Sequence, residues 1–236
     1  MTLTWLADLR ASTEPVGDQG PRRTCVSWAA TAAHEHHGPG PLSIEYLHWA
    51  CGPRGQGTTF GLRRALRDSG QPPRDQWSYD PMRNDTTAYD PPGGVTGPFH
   101  TAGTRQVPHT PRRLADQLES GLLPVAAIRV TTQFRNPSGG VVDGSEPGQD
   151  GHAVTVVGIA RLDDAVGSLP AGHHLVCVRN SWGRAWGSDG HALITERAWN
   201  ACAIWAVVIE PTNNASATET NSAQSHLAEA LPILPP

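Results

Sequence analysis

Lysine is absent from this 236-residue chain, and all 18 of its basic side chains are arginine. A functional need would rarely remove lysine from every position, so the absence reads as codon bias of a GC-rich genome. Charge of either sign is thinly spread. Twenty-two acidic residues against 18 basic ones leave a net charge of -4 with no long run of either sign. That excludes the concentrated basic field that nucleic acid or an anionic membrane attracts. No apolar run approaches the roughly 18 residues of a membrane span. The opening Met1-Thr-Leu-Thr-Trp-Leu-Ala-Asp8 lacks both the basic and the long apolar region of a secretory signal. Cysteine is scarce as well: Cys25, Cys51, Cys177 and Cys202 are widely and irregularly spaced, with no C-x-x-C pair. Two disulfides are arithmetically possible, but a reduced, cytoplasmic chain is the expectation. No cofactor or metal is expected. His34-Glu-His-His37 is read as a polar helix end, His173-His174 as an exposed turn, and the sequons at Asn84 and Asn214 carry little meaning without a secretion signal.

What remains, 38% hydrophobic and 17% charged, is the composition of a globular chain long enough for a sizeable core. The pattern predicts a helix from Thr24 to about His37, capped by Thr24 and stopped by Gly38-Pro39-Gly40-Pro41. A second helix, Ile44 to about Ala50, has Ser43 as its cap. A third runs from Phe60 to Ser69. Residues 71–107, rich in Pro, Gly, Asp and Thr, read as loop. A helix from Pro111 to Ser120 follows, with Thr110 as cap and proline in its first turn. Then the periodicity changes. Pro124 to Val130, Ala153 to Ile159, His174 to Arg179, His191 to Thr195 and Ala203 to Ile209 are short runs rich in β-branched residues, read as strands of a buried sheet. Helices first and strands afterwards predict an α+β protein. A helical half would span about 10–105 and a β half about 106–210, with residues 211–236 a polar, disordered tail.

Chemistry is concentrated in a few segments. A thiol attacks carbonyl carbon as thiolate, and a helix N-terminus and a nearby imidazolium both lower its pKa. Cys25 stands at a helix start, although an arbitrary cysteine is more often structural. Six residues earlier, Gln19 lies in the turn-rich Pro15-Val-Gly-Asp-Gln-Gly20. Its amide and the Cys25 backbone N–H would supply two donors to a developing oxyanion. His152 opens the strand Gly151-His152-Ala-Val-Thr-Val-Val-Gly158, where a side chain projects at a sheet edge. Asn180 closes another strand and is followed by Trp182 and Trp186, each succeeded by glycine. Aromatic faces over a polar pair exclude water and strengthen its hydrogen bond.

Together these segments resemble the papain family of cysteine peptidases. The matching stretches are Pro15 to Gly20, Thr24-Cys25, Gly151 to Gly158, and Asn180-Ser-Trp-Gly-Arg-Ala-Trp-Gly-Ser-Asp-Gly190. His152 and Asn180 lie 127 and 155 residues after Cys25, close to the roughly 130–150 that separate the partners in that family. Leu42-Ser43 and Ser78-Tyr79-Asp80-Pro81 are weaker echoes, so the resemblance spans about 5–210. It implies a papain-like fold of two subdomains, a helical half and an antiparallel β-sheet or barrel half with a cleft between them. It further implies Cys25 as nucleophile paired with His152, Asn180 as orienter of the imidazole, Trp182 as its shield, and Gln19 in the oxyanion hole. Gly57, in Arg54-Gly-Gln-Gly57, and Gly151 would contact an extended peptide substrate.

The chain also departs from that family. Val26 follows the nucleophile where an aromatic residue is usual, and Arg22 stands where a second cysteine is usual. Cys51 has no evident partner, and the interval from His152 to Asn180 is lengthened around Asp163 to Gly172. The matching region begins near Trp5, so no inhibitory propeptide is expected, and another control, such as a regulatory partner, restricted specificity or a larger assembly, would replace it. The resemblance implies a peptidase acting on a peptide or protein substrate. An acyltransferase, transpeptidase or cyclase on the same fold is one alternative, and a non-catalytic peptide-binding relative is the other.

Overall fold

The computed structural model describes residues 2–52, 57–83, 90–137, 139–144, 146 and 148–212. Arg54 to Gln56, both sequons and all of the expected tail beyond Thr212 lie outside the described residues. The architecture is α+β, with helices α1 (Cys25–Glu35), α2 (Ile44–Cys51) and α3 (Thr59–Arg64) in the N-terminal half and a large sheet behind them. Along the sheet the strands run β2 (Ala102–Val107), β8 (Ala203–Pro211), β3 (Val125–Arg129), β5 (Gly151–Leu162), β6 (His174–Arg179), β7 (His191–Thr195) and β4 (Val141–Val142). The first and last strands do not pair, so among the described residues the sheet is open rather than a closed barrel. Neighbours are antiparallel except β4 and β7.

Strand β5 organises the sheet. Ten of its twelve residues are buried, as expected of a β-branched run covered on both faces. One edge carries β6. The other is shared: β3 pairs with its first five residues, and β1 (Leu3–Asp8) with its last five. β1 approaches closely because residue 158 is glycine. A Cβ there would stand 2.8 Å from the Trp5 ring and 3.0 Å from the Ala7 carbonyl oxygen.

Helix α1 crosses this sheet with little bulk between them. Its buried alanines 29, 30 and 33 let the backbone come close enough for Thr155 Oγ1 on β5 to donate to the Ala29 carbonyl at 3.1 Å. α1 is thus locked to β5 one turn beyond Cys25, a contact that sets where its N-terminus points. The helical half closes over α1 through Leu47, Leu62 and Leu66, each fully buried. A polar relay also runs through it, in which Gln71 Nε2 donates to Thr31 Oγ1 and its Oε1 meets His34 Nδ1 at 2.9 Å. His34, in the last turn of α1, is therefore a buried, partnered side chain.

Other expectations needed correction. Thr24 does not cap α1, because its hydroxyl is bonded to the Tyr79 hydroxyl at 2.7 Å. Thr110 makes no side-chain cap to α4 (Pro111–Glu119), although proline does occupy the first turn. Ser43 does cap α2, accepting from Tyr46 N at 3.0 Å. The expected third helix is α3 followed by a π-helical turn over Ala65–Ser69. The 71–107 loop ends in strand β2, which pairs with β8 from Ala102 to Val107. β1, β4, α5 (Thr132–Arg135) and α6 (Glu196–Cys202) were not anticipated.

Candidate active site

Two short main-chain contacts join the segment before α1 to the end of β6. Gln19 N donates to the Ser181 carbonyl at 2.8 Å, and Gly183 N donates to the Gly17 carbonyl at 3.1 Å. Residues 16–19 therefore run beside 181–183 as a strand-like pair, with a bridge between Asp18 and Trp182. Within this frame the Gln19 side chain is buried and held at both ends. Ser181 Oγ donates to its Oε1 at 2.6 Å, and its Nε2 donates to the Arg22 carbonyl at 2.6 Å. An amide nitrogen has two hydrogens, and the second is left for another acceptor. The turn after Asn180 closes tightly, with Gly187 at φ 60° and a Cβ there falling only 2.2 Å from the His191 carbonyl oxygen.

Asn180 and His152 meet across β5 and β6. His152 Nε2 lies 2.7 Å from Asn180 Oδ1. The same Oδ1 accepts the backbone N–H of Ser181 at 2.8 Å, and a backbone N–H requires an acceptor, which fixes the amide orientation. Nε2 must then carry the proton it donates, and the lone pair of neutral His152 sits on Nδ1. Among the described residues Nδ1 has no hydrogen-bond partner. Asn180 Nδ2 is buried without a partner, a penalty of about 1–3 kcal/mol for an amide group that the rest of the fold offsets. Aromatic rings enclose the pair. The Trp182 ring centroid is 4.6 Å from that of His152, and Phe134 is 5.8 Å from His152 and 5.4 Å from Trp182. Phe134 is presented by α5, which Thr131 caps, and its carbonyl takes the Trp186 Nε1 proton at 2.8 Å.

Cys25 begins α1, half-buried, and α1 brings it to the start of β5. Backbone N–H groups of Ala153, Val26 and Cys25 itself bear on its sulfur, so the thiol lies against the residue that follows His152. Burial pushes the Cys25 thiol up, and these N–H groups only partly oppose it. Burial likewise pushes His152 down, to about 4, against the favourable bond from Asn180. Neither charge forms easily alone in such a site. The other cysteines are free and buried. Cys51 and Cys177 are pushed up to about 12 and Cys202 to about 11 by desolvation.

The fold thus gathers Gln19, Cys25, His152, Asn180 and Trp182 at one end of α1 and β5. Gly151 is the exposed first residue of β5, opposite Arg129. Gly57 sits in the exposed turn before α3 at φ 76°, with nothing within 4 Å of where a Cβ would stand. Sequence reasoning passed over three supports. Ser181 holds both Gln19 and the Asn180 amide, Tyr79 donates its hydroxyl proton to the Gln19 carbonyl at 2.8 Å, and Phe134 completes the aromatic enclosure. Ser181 and Tyr79 lay inside quoted motifs without a role, and Phe134 had no signal beyond its residue type. Arg22 forms a buried ion pair with Glu45.

A thiol heads the central helix of this fold, and an imidazole–amide pair stands at the start of β5, against which that helix packs. The family model for papain family cysteine proteases matches residues 76–212, more than half of the chain, and the chain belongs to that family. The matched span includes His152 and Asn180 and starts after Gln19 and Cys25. Solved structures share the fold over most of the chain. Digestive procathepsin L 3 of the Tenebrio molitor larval midgut is 24% identical, with a TM-score of 0.66 over 87% of this chain and 68% of its own. Xylellain, a cysteine protease from Xylella fastidiosa, is 20% identical, with a TM-score of 0.66 over 87% and 85%. Bromelain protease from Ananas comosus, in complex with the E64 inhibitor, is 22% identical, with a TM-score of 0.64 over 87% and 97%. No curated protein matched the chain.

Proposed function

We propose that the protein is an endopeptidase in which Cys25 is the nucleophile, His152 the general base and acid, Asn180 the orienter and Gln19 an oxyanion donor. The observation that carries this reading is the His152–Asn180 bond, because it commits Nε2 as donor and leaves Nδ1 as the base. Nδ1 takes the thiol proton as the Cys25 sulfur attacks the scissile carbonyl. The carbonyl π electrons move to oxygen, and the oxyanion is met by the Cys25 backbone N–H, to which the first turn of α1 offers no helical acceptor, and by the free hydrogen of Gln19 Nε2. Collapse expels the amine, which takes the proton from His152, and leaves a Cys25 thioester. Water, deprotonated by Nδ1, then attacks the thioester and releases the acid and the thiol.

Gly57, Gly151 and Trp182 are proposed to contact an extended peptide or protein substrate, Gly57 from open space on its exposed face. We also infer a reducing, cytoplasmic setting, since three buried cysteines remain unpaired. The test of the enzyme is labelling with an epoxide-type thiol inhibitor and mapping of the modified residue. Single labelling at Cys25, lost together with peptide hydrolysis in Cys25→Ala, is expected. Hydrolysis that survives in Cys25→Ala would defeat the assignment.

A further inference from the structure

Residues 19–24 carry the proposed oxyanion donor and lead into the nucleophile, yet they hold neither helix nor strand. Their shape rests on side chains. Arg22 is almost wholly buried against Glu45, with side-chain exposures of 3% and 0%. Its Nη1 donates to Glu45 Oε2 at 2.6 Å and to the Asp80 carbonyl at 2.7 Å, and its Nη2 donates to Glu45 Oε1 at 2.9 Å. Glu45 lies in the first turn of α2, where the helix dipole favours a carboxylate, and Arg83 Nε approaches it at 3.5 Å. The Arg22 guanidinium carbon stands 4.8 Å over the Tyr79 ring. Both residues then reach the donor. The Arg22 carbonyl anchors Gln19 Nε2, and the Tyr79 hydroxyl anchors the Gln19 carbonyl and meets Thr24, the residue before Cys25.

From this geometry we infer that the Arg22–Glu45 pair is a positioning device for the oxyanion donor, acting through Gln19 and through the Tyr79 ring that Arg22 covers. The inference rests on the peptidase reading above. A buried ion pair is weak evidence for stability, because apolar residues of similar volume often replace one without loss. What the bidentate pair supplies is direction: a planar fork gripped at both nitrogens fixes the backbone that carries it. Arg22 and Glu45 are positioning residues: Arg22 bonds Glu45 and the Asp80 carbonyl, and Arg83 also lies against Glu45.

The test is a set of mutant cycles in the full chain with a peptide amide substrate. Arg22→Met, Glu45→Gln and Tyr79→Phe are each made in the wild type and in Gln19→Ala. In the wild-type background kcat should fall by about 10- to 100-fold, less than the roughly 10²–10³ for losing the donor itself, with KM within about twofold. Cys25 alkylation by iodoacetamide should stay within about threefold of wild type. In the Gln19→Ala background the same substitutions should cost less than about threefold, because groups acting through one residue are not additive. Glu45→Gln, close to glutamate in shape and volume, decides the matter if Arg22→Met fails to fold, while Tyr79→Phe reads the share carried by the hydroxyl with the buried charges still paired. Equal losses in both backgrounds, in an active enzyme, overturn the positioning role alone. A wild type without turnover overturns the peptidase reading and this inference with it.

Discussion

Cys25→Ser removes the acidic partner of His152 and lets the imidazole titrate alone in its aromatic enclosure. Burial holds that ring at about 4 rather than its ordinary 6.5, a depression of about 2.5 units, or about 3–4 kcal/mol at roughly 1.4 kcal/mol per unit. The folded pKa lies below the unfolded one. As pH falls through about 6.5, the unfolded chain binds a proton that the native site refuses. Native stability from this group is therefore complete above about 6.5, declines by roughly 1.4 kcal/mol per pH unit down to about 4, and levels off below. Imidazole ¹⁵N shifts from pH 3 to 8 would locate the titration, and urea midpoints over the same range would give the slope. Cys25→Ser/His152→Gln serves as the control that lacks this component. A serine variant whose His152 titrates at or above 6.5 would refute the reasoning, for it would mean that Phe134 and Trp182 do not keep water from the ring.

Gln19→Ala should slow peptide hydrolysis by about 10²–10³ while leaving Cys25 reactive toward alkylating agents, as measured by turnover and iodoacetamide kinetics side by side. Asn180→Ala should cost less in kcat than loss of Cys25, since the imidazole remains but loses its orientation. In Cys25→Ser/Asn180→Ala the His152 titration should also move lower, because the Asn180 bond is what opposes burial. Iodoacetamide at neutral pH should label native protein at Cys25 first, the other three thiols being held near 11 or 12; protein denatured without reductant should titrate as four free thiols. Circular dichroism of Cys25→Ala should match wild type, a small helix-favouring residue having replaced a small one.

Local patterns carried much of the secondary structure. β6 and β7 run from His174 to Arg179 and from His191 to Thr195, as their β-branched composition predicts. The helix at Cys25 starts where expected and stops two residues early. The strands that escaped were those whose pairing is long-range. Leu3–Asp8 alternates between half-buried and exposed residues, and only β5, some 150 residues later, makes it a strand. β2 is defined in the same way by β8, so its own Ala-Gly-Thr-Arg-Gln-Val looks like the end of a polar loop. Thr24 failed as a cap for a related reason: its hydroxyl had a stronger claim from Tyr79, 55 residues away.

The site divides along the same line. The residues proposed to do chemistry are of particular types at particular element ends, so Gln19, Cys25, His152 and Asn180 could be picked out from short segments. Residues that hold them need only reach, and reach is set by the fold. Ser181 illustrates the difference. Its position next to Asn180 is visible in the sequence, but its two tasks depend on the segment around Gln19 lying alongside it, which only the bridge between Asp18 and Trp182 establishes. In the sequence alone, Arg22 in place of the family's usual second cysteine signals only a broken disulfide pattern and a reducing compartment. In the fold it becomes the centre of a buried network, because Glu45 on α2 is brought against it. Where a disulfide would tie the segment covalently, this chain uses a charged pair that needs no oxidant, its buried guanidinium donating three directed hydrogen bonds, two to Glu45 and one to the Asp80 carbonyl.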